Sequence, residues 1–144
     1  MSVAFDLVAA PHDRHRQVIL DALVAYNTQK TGVNDYRPLA IIVKDEQGRE
    51  AGGLWGWTAF GWLFVELFII PEGARTRGLG TKILKTAEDE AVSRGCVGVW
   101  LDTYEFQARG FYEKQGYTCF GEIENHPPGS SRYFMKKALT PSST

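Results

Sequence analysis

Residues 62–81 read WLFVELFIIPEGARTRGLGT and contain the two features that decide the fold. The first is an apolar run that is interrupted only by Glu66 and closed by Pro71. Such near-continuous apolarity is typical of a central β-strand that is covered on both faces. The second is the glycine-rich stretch at residues 75–81, which stands between that strand and a predicted helix.

Hydrophobic periodicity predicts the remaining elements on either side of this stretch. Helices are predicted from Asp13 to a stop at Gly32, at residues 78–94 and at residues 106–115. Further strands are predicted at residues 3–8, 39–43, 50–58, 97–101, 117–123 and 132–139, with a hairpin turn at residues 46–49. This order predicts a mixed sheet with helices on its faces, because regular βαβ alternation is absent.

The chain has 144 residues, and hydrophobic and charged residues make up 44% and 23% of it. Both shares are close to those of ordinary globular domains, so we expect one domain over residues 1–140 and a short disordered tail at residues 141–144. Sixteen basic and seventeen acidic residues give a net charge of −1. A chain so nearly neutral has no overall field that attracts a polyanion, so we expect no nucleic-acid partner.

Membrane, secretory and metal-binding functions find no support in the sequence. The apolar run is far shorter than the roughly 20 residues that a membrane helix needs, and residues 1–10 carry no Lys or Arg. We therefore expect a soluble, cytoplasmic protein without a membrane partner. Cys96 and Cys119 form no CxxC pair and the three histidines are scattered, so no metal is expected.

The glycine-rich stretch predicts an anion site at the start of a helix. Backbone N–H groups in a first helical turn lack acceptors, the helix dipole favours negative charge, and glycine allows a ligand to approach closely. Gly73 and Gly78 have the spacing of a P-loop, but the Lys-Ser/Thr pair that must follow is missing. A plain glycine-rich helix start without a ligand is the alternative interpretation.

Two motifs together resemble a known family. Arg75-x-x-Gly78-x-Gly80 follows the apolar strand, and residues 111–117, FYEKQGY, follow one helix and one strand later. The order and spacing resemble those of the GNAT superfamily of N-acetyltransferases over roughly residues 39–139. The resemblance implies the α/β GNAT fold, with a mixed, mostly antiparallel sheet of six to seven strands that splays at its fourth and fifth strands, and with helices on both faces.

The resemblance also implies acetyl-CoA as cosubstrate, without a metal. Backbone amides would bind its pyrophosphate, the charges of two arginines would add attraction, and the pantetheine arm would lie like an extra strand along the backbone of the apolar run. The implied residues are Arg75, Arg77, Gly78, Leu79, Gly80 and Thr81 for the pyrophosphate, and Phe68, Ile69 and Ile70 for the pantetheine. Many members carry an Asn near the pantetheine where this chain has Glu105, which we do not assign to the cofactor.

Tyr112 stands at the position of the family tyrosine that protonates the departing thiolate of CoA. A phenol with a pKa of about 10 is a reasonable partner for a thiol with a pKa of about 8.5. The alternative is a tyrosine that only packs beside Phe111. The Phe68 N–H would, by the same analogy, stabilise the oxyanion that forms from the thioester.

Glu66 is the single charge inside the apolar strand. Burial there is expected to raise the pKa of its carboxyl, which suits a base that removes a proton from the acceptor ammonium. Strand alternation predicts that Glu66 shares a face with Phe68 and Ile70. A structural glutamate or a substrate anchor are the alternatives.

These observations favour an acetyl-CoA-dependent N-acetyltransferase that acts on a primary amine of a small molecule or peptide. A non-catalytic acyl-CoA-binding or sensor domain on the same fold is the competing hypothesis. His126, in a Pro-rich loop, is either a substrate contact or a turn residue. The resemblance also allows a homodimer, an assembly common among similar proteins.

Overall fold

The structure, a computed structural model, describes residues 2–74 and 78–140. The chain divides between Asn34 and Asp35 into two compact units. The first contains the helix α1 (Asp13–Thr31), and the second contains the β-sheet and the other helices. Among the described residues, no helix has the length and apolarity needed to cross a membrane.

The first unit confirms the predicted helix and overturns the predicted strand. α1 ends at Gly32, whose φ of 73° is left-handed and whose N–H donates to the Thr28 carbonyl at 2.8 Å. The strand predicted at residues 3–8 is wrong, because these residues have no regular secondary structure. Val3, Phe5 and Leu7 are 93%, 96% and 93% exposed. Alternating apolar residues satisfy only the side-chain requirement of a strand, which also needs backbone hydrogen bonds to a neighbour.

The second unit confirms the mixed, mostly antiparallel sheet. Its described strands are β1 (Arg37–Lys44), β2 (Glu50–Ala59), β3 (Trp62–Ile69), β4 (Gly98–Tyr104), β5 (Thr118–Glu124) and β6 (Ser131–Ala138). They lie in the order β1-β2-β3-β4-β6-β5. β3 and β4 are parallel, and the other neighbouring pairs are antiparallel. The sheet therefore has six strands in the described chain, at the lower end of the predicted range.

Two helices follow β3 and β4 in the second unit. α2 (Leu79–Ser93) ends just before Gly95, whose φ of 83° stops the helix as expected. α3 (Arg109–Lys114) ends before Gly116, which has a φ of 94°. α3 is shorter at its start than predicted, because the Gln107 side chain accepts the Tyr104 N–H at 2.8 Å and holds that segment in a turn.

The core lies between α2, α3 and one face of the sheet. Leu84, Ala87 and Ala91 of α2 are at most 1% exposed, and Leu63 and Met135 of the sheet are 0% exposed. Full burial of a leucine stabilises the fold by about 1.5–3 kcal/mol. This packing fixes the start of α2 relative to the end of β3.

β3 changes character halfway along its length. Its register with β2 pairs Gly56 with Val65 but Trp55 with Leu67, so Glu66 is the extra residue of a β-bulge. Pairing of β3 with β4 ends at Val65 and Leu101. No pair joins these two parallel strands beyond that point in the described chain. They are the fourth and fifth strands of the predicted order, which counted residues 3–8 as its first strand, so the gap lies where the splay was predicted. We call residues 62–65 the closed half of β3 and residues 66–69 its open half.

Candidate active site

The first turn of α2 is an uncapped helix start. Its N-cap is Gly78, which has left-handed dihedral angles of 70° and 23° and no side chain to accept a hydrogen bond. The Gly78 carbonyl accepts the Lys82 N–H at 3.1 Å and so begins the helix. The N–H groups of Leu79 and Gly80 then have no acceptor within the helix, which leaves them for an anion. Arg75 and Arg77, predicted for the same site, lie outside the described residues.

Gly80 lets α2 approach α3 and the end of the sheet. A Cβ at this position would lie 3.4 Å from two ring atoms of Phe111 and 3.9 Å from Cγ1 of Ile70. These are ordinary contact distances, so a single methyl would fit at Gly80 and a larger side chain would meet Phe111, whereas a Cβ at Gly78 would meet no described atom within 4 Å. The Gln115 amide also donates to the Thr81 hydroxyl at 3.2 Å. The two sequence motifs are thus in direct contact.

Tyr112 is held by aromatic neighbours. It is 7% exposed, and its ring meets Phe111 and Tyr117 edge to face at centroid distances of 5.2 and 5.8 Å. Burial, reinforced by the negative charge of Asp102, raises the pKa of the Tyr112 phenol to about 12. A phenol with this pKa keeps its proton at neutral pH, and its hydroxyl forms no hydrogen bond with any described residue.

The end of β3 lies against the same aromatic group. The Phe68 ring meets Phe111 at 6.2 Å, and Phe68 and Ile70 pack against the core. Ile69, which is 55% exposed, alternates with them. The edge of the open half that faces β4 forms no strand pair in the described chain. The structure therefore brings the predicted pantetheine segment, the start of α2 and Tyr112 together around Phe111.

Glu66 departs from the expectation of a buried carboxylate. Its side chain is exposed, so the expectation that this residue is buried was wrong. The physical reason is the bulge, because Glu66 is the extra residue and has no partner position on β2, so its side chain is not packed as in a regular strand. Glu66 stands instead at the first position where β3 has left β4.

Asp102 is a site residue that the sequence reasoning missed. It follows Leu101, the last residue of β4 to pair with β3, and so stands opposite Glu66 across the gap between the strands. Its carboxylate accepts a hydrogen bond from Nε of Arg132 at 3.0 Å and forms an ion pair with Nη2 of the same guanidinium at 2.7 Å. The sequence did offer one indication of Asp102, since it is a charged residue directly after a strand that was predicted to be buried.

The segment between β4 and α3 is fixed by polar contacts. Gln107 accepts the Thr103 hydroxyl at 3.2 Å in addition to the Tyr104 N–H. The Glu105 N–H donates to the Ser131 carbonyl at 2.9 Å. Among the described residues, no group of three or more His, Cys, Asp or Glu is arranged to hold a metal ion.

Comparisons with known proteins agree with this geometry. The profile of the Acetyltransferase (GNAT) family matches residues 8–117. An acetyltransferase of Agrobacterium fabrum is 40% identical over 121 residues, which cover 84% of this chain and 88% of that protein. The blasticidin-S acetyltransferase of Streptomyces morookaense is 37% identical over 115 residues, covering 77% and 85%. A crystal structure from Agrobacterium tumefaciens superposes with a TM-score of 0.88 at 36% identity and covers 95% of this chain and 100% of that one.

Proposed function

The chain belongs to the GNAT family of acetyltransferases and performs acetyl-CoA-dependent acyl transfer, and from this premise we propose that it transfers the acetyl group directly to a primary amine of a small molecule. One observation carries the proposal. The uncapped start of α2, the open half of β3 and the protonated Tyr112 all pack around Phe111. A thioester bound along this path would have an anion site at one end and a proton donor at the other.

We assign acetyl-CoA binding to backbone groups. The pyrophosphate would meet the amides of residues 77–81, with Arg75 and Arg77 adding charge, as the family resemblance implies. The pantetheine would pair with the backbone of residues 68–70, along the edge that β4 leaves. The first turn of α2 and the edge of residues 66–69 that forms no strand pair with β4 support this assignment, because backbone groups at such places can bind a ligand.

Transfer needs an amine nitrogen with a free electron pair. That nitrogen would attack the thioester carbon, and the Phe68 N–H would stabilise the developing oxyanion. The C–S bond would then break, and the nitrogen would lose its second proton, which balances the proton that the leaving sulfur gains. Glu66 is the proposed acceptor of the proton that the ammonium loses. Since Glu66 is exposed, it would act through water, as a carboxylate can at a site that solvent reaches.

Tyr112 is the proposed donor to the leaving sulfur. A phenol with a pKa of about 12 is a weaker acid than a CoA thiol of about 8.5, so full proton transfer would be uphill by roughly 5 kcal/mol if the thiolate were in water. A thiolate desolvated beside Tyr112 is a stronger base, which reduces the difference between the pKa values of the phenol and the thiol. The raised pKa keeps the proton on the phenol until sulfur becomes negative.

The acceptor class rests on the relatives. The name of the Streptomyces protein states that it acetylates blasticidin S, a small molecule, and 37% identity over most of both chains favours a small-molecule amine here as well. Peptide amines form the second part of the test panel.

The test is acetylation of a panel of small-molecule and peptide amines, followed by release of the CoA thiol and by the mass of the product. We expect acetylated product from at least one small-molecule amine, with one thiol released per product. Tyr112→Phe, which keeps the ring, is the matched control and should bind CoA but turn over slowly. Thiol release without any acetylated amine would contradict the proposal.

A further inference from the structure

Phe106 presents an aromatic face to solvent next to the site. It is 68% exposed, and its ring stacks on Tyr104 with a centroid distance of 5.3 Å and an angle of 9°. Tyr104 is the last residue of β4, two positions beyond Asp102. One face of Phe106 is thus occupied by Tyr104, and its exposure places much of the rest of the ring in contact with water.

Neighbouring side chains and backbone hydrogen bonds hold the stack in place. Arg132 lies over the Tyr104 ring at 5.4 Å and His126 meets that ring at 5.2 Å. The segment that carries Phe106 is tied to Tyr104 through Gln107 and to β6 through the Glu105 N–H. An aromatic surface fixed in this way loses little conformational entropy when a second ring stacks on it.

Contacts connect the stack to the reacting end of the site. Arg132 contacts Tyr104 and pairs with Asp102 at 2.7 Å, and the charge of Asp102 acts on the pKa of Tyr112. Asp102 is therefore common to the surroundings of the stack and of the proposed proton donor. A molecule whose amine reaches the thioester could extend over Phe106.

The charged groups around the stack favour a cation. Glu105 precedes Phe106 and is exposed, and Glu122 is exposed on β5, where it accepts the Ser131 hydroxyl at 2.9 Å. Arg132, the neighbouring cation, is neutralised by Asp102. The excess of carboxylates attracts an ammonium and disfavours an anionic acceptor.

We propose that the exposed face of Phe106 is an acceptor subsite that stacks the planar ring of a cationic amine. The inference rests on the proposed function and specifies its substrate class: a small amine that carries an aromatic or heteroaromatic ring. Phe106 selects the ring, and Glu105 with its acidic neighbours attracts the positive charge.

Two amines of equal charge and length test the inference, 2-phenylethylamine and 2-cyclohexylethylamine. Binding to the CoA-saturated protein is measured by calorimetry, and kcat/KM with acetyl-CoA is measured in parallel. Wild type should favour the aromatic amine roughly threefold to tenfold, the range expected for aromatic stacking. Phe106→Leu, apolar but not aromatic, should bring that ratio close to one, and Phe106→Tyr should restore it. Affinity for CoA should be the same in all three proteins.

The outcomes separate this inference from the proposed function. The subsite would be overturned if wild type bound both amines equally or bound neither. It would also be overturned if the preference for the aromatic amine persisted in Phe106→Leu. Acetylation of other small amines would continue under each of those results if the proposed function is right. Failure of the whole amine panel, with normal CoA binding, would instead overturn the proposed function.

Discussion

The closed and open halves of β3 are both rich in apolar residues, but they differ in strand pairing and in side-chain exposure. In the closed half, Leu63 and Val65 are 0% and 3% exposed, and both neighbouring strands pair with it. In the open half, Leu67 and Ile69 are 61% and 55% exposed, and β4 has diverged. A single extra residue, Glu66, marks the change. Apolarity alone therefore does not tell where a strand is paired on both edges and where one edge is left for a ligand.

Tyr112→Phe, beside the open half, should have the largest effect on catalysis. Loss of the hydroxyl removes the proton donor but keeps the ring between Phe111 and Tyr117, so we expect kcat to fall by about 10²–10⁴ with CoA affinity unchanged. Steady-state kinetics and calorimetry would measure the two quantities. An unchanged kcat would leave Tyr112 with a packing role.

The Tyr112→Phe variant should also differ from wild type in how its free energy of unfolding depends on pH. Because the pKa of Tyr112 is raised to about 12 in the folded state and is about 10 in an unfolded chain, the unfolded state loses this proton first. The protonated phenol therefore contributes fully to the free energy of unfolding below about pH 10. That contribution, roughly 1–3 kcal/mol, is lost as the pH rises from 10 to about 12. The unfolding free energy of Tyr112→Phe should fall less steeply over that window than that of wild type.

Two identical substitutions compare the halves directly. Leu63→Ala removes a fully buried side chain and should lower the free energy of unfolding by about 2–5 kcal/mol. Leu67→Ala removes an exposed one and should change it by less than about 0.5 kcal/mol. Urea unfolding measures both. Equal losses would show that the two halves contribute equally to the core.

Glu66→Gln tests the residue at the boundary of the halves. If the carboxylate accepts the proton of the ammonium, kcat/KM should fall by about 10²-fold at neutral pH. The deficit should shrink as the pH rises toward about 10, because the amine then arrives neutral. Parallel pH profiles for wild type and variant would rule out base catalysis and favour an anchoring role for Glu66.

Substitutions at Gly80 should act mainly on CoA affinity. Alanine would place its Cβ at ordinary contact distance, 3.4 Å from Phe111, so we expect a change of at most a few fold. The extra methyls of Gly80→Val would displace Phe111 or point toward the pyrophosphate, and affinity should weaken by more than about tenfold. A folded Gly80→Val protein with wild-type affinity would remove this turn from the cofactor site.

Local features of the fold were predictable from the sequence. Each of the three helices is followed by a glycine with a positive φ, a conformation that glycine adopts easily: Gly32, Gly95 and Gly116. The turn at residues 46–49 likewise forms through local bonds from Gln47 and Arg49 to Asp45.

Features that depend on distant partners were not predictable. The bulge at Glu66 exists only in register with β2, and the strand expected at residues 3–8 depended on pairing that its own sequence does not encode. The contact of Gln115 with Thr81 joins residues 34 positions apart. The two motifs were found separately, but their meeting around Phe111 required the three-dimensional structure.

Amide hydrogen exchange tests the central claim, that the open half of β3 and the start of α2 together bind the cosubstrate. With saturating CoA, exchange should slow by at least about tenfold at those amides of residues 66–69 that do not pair with β2 and at residues 79–81, because these groups gain hydrogen-bonding partners. Exchange at residues 62–65 should not change, since that half is already paired on both sides. Binding of CoA with no added protection at residues 66–69 and 79–81 would contradict the account.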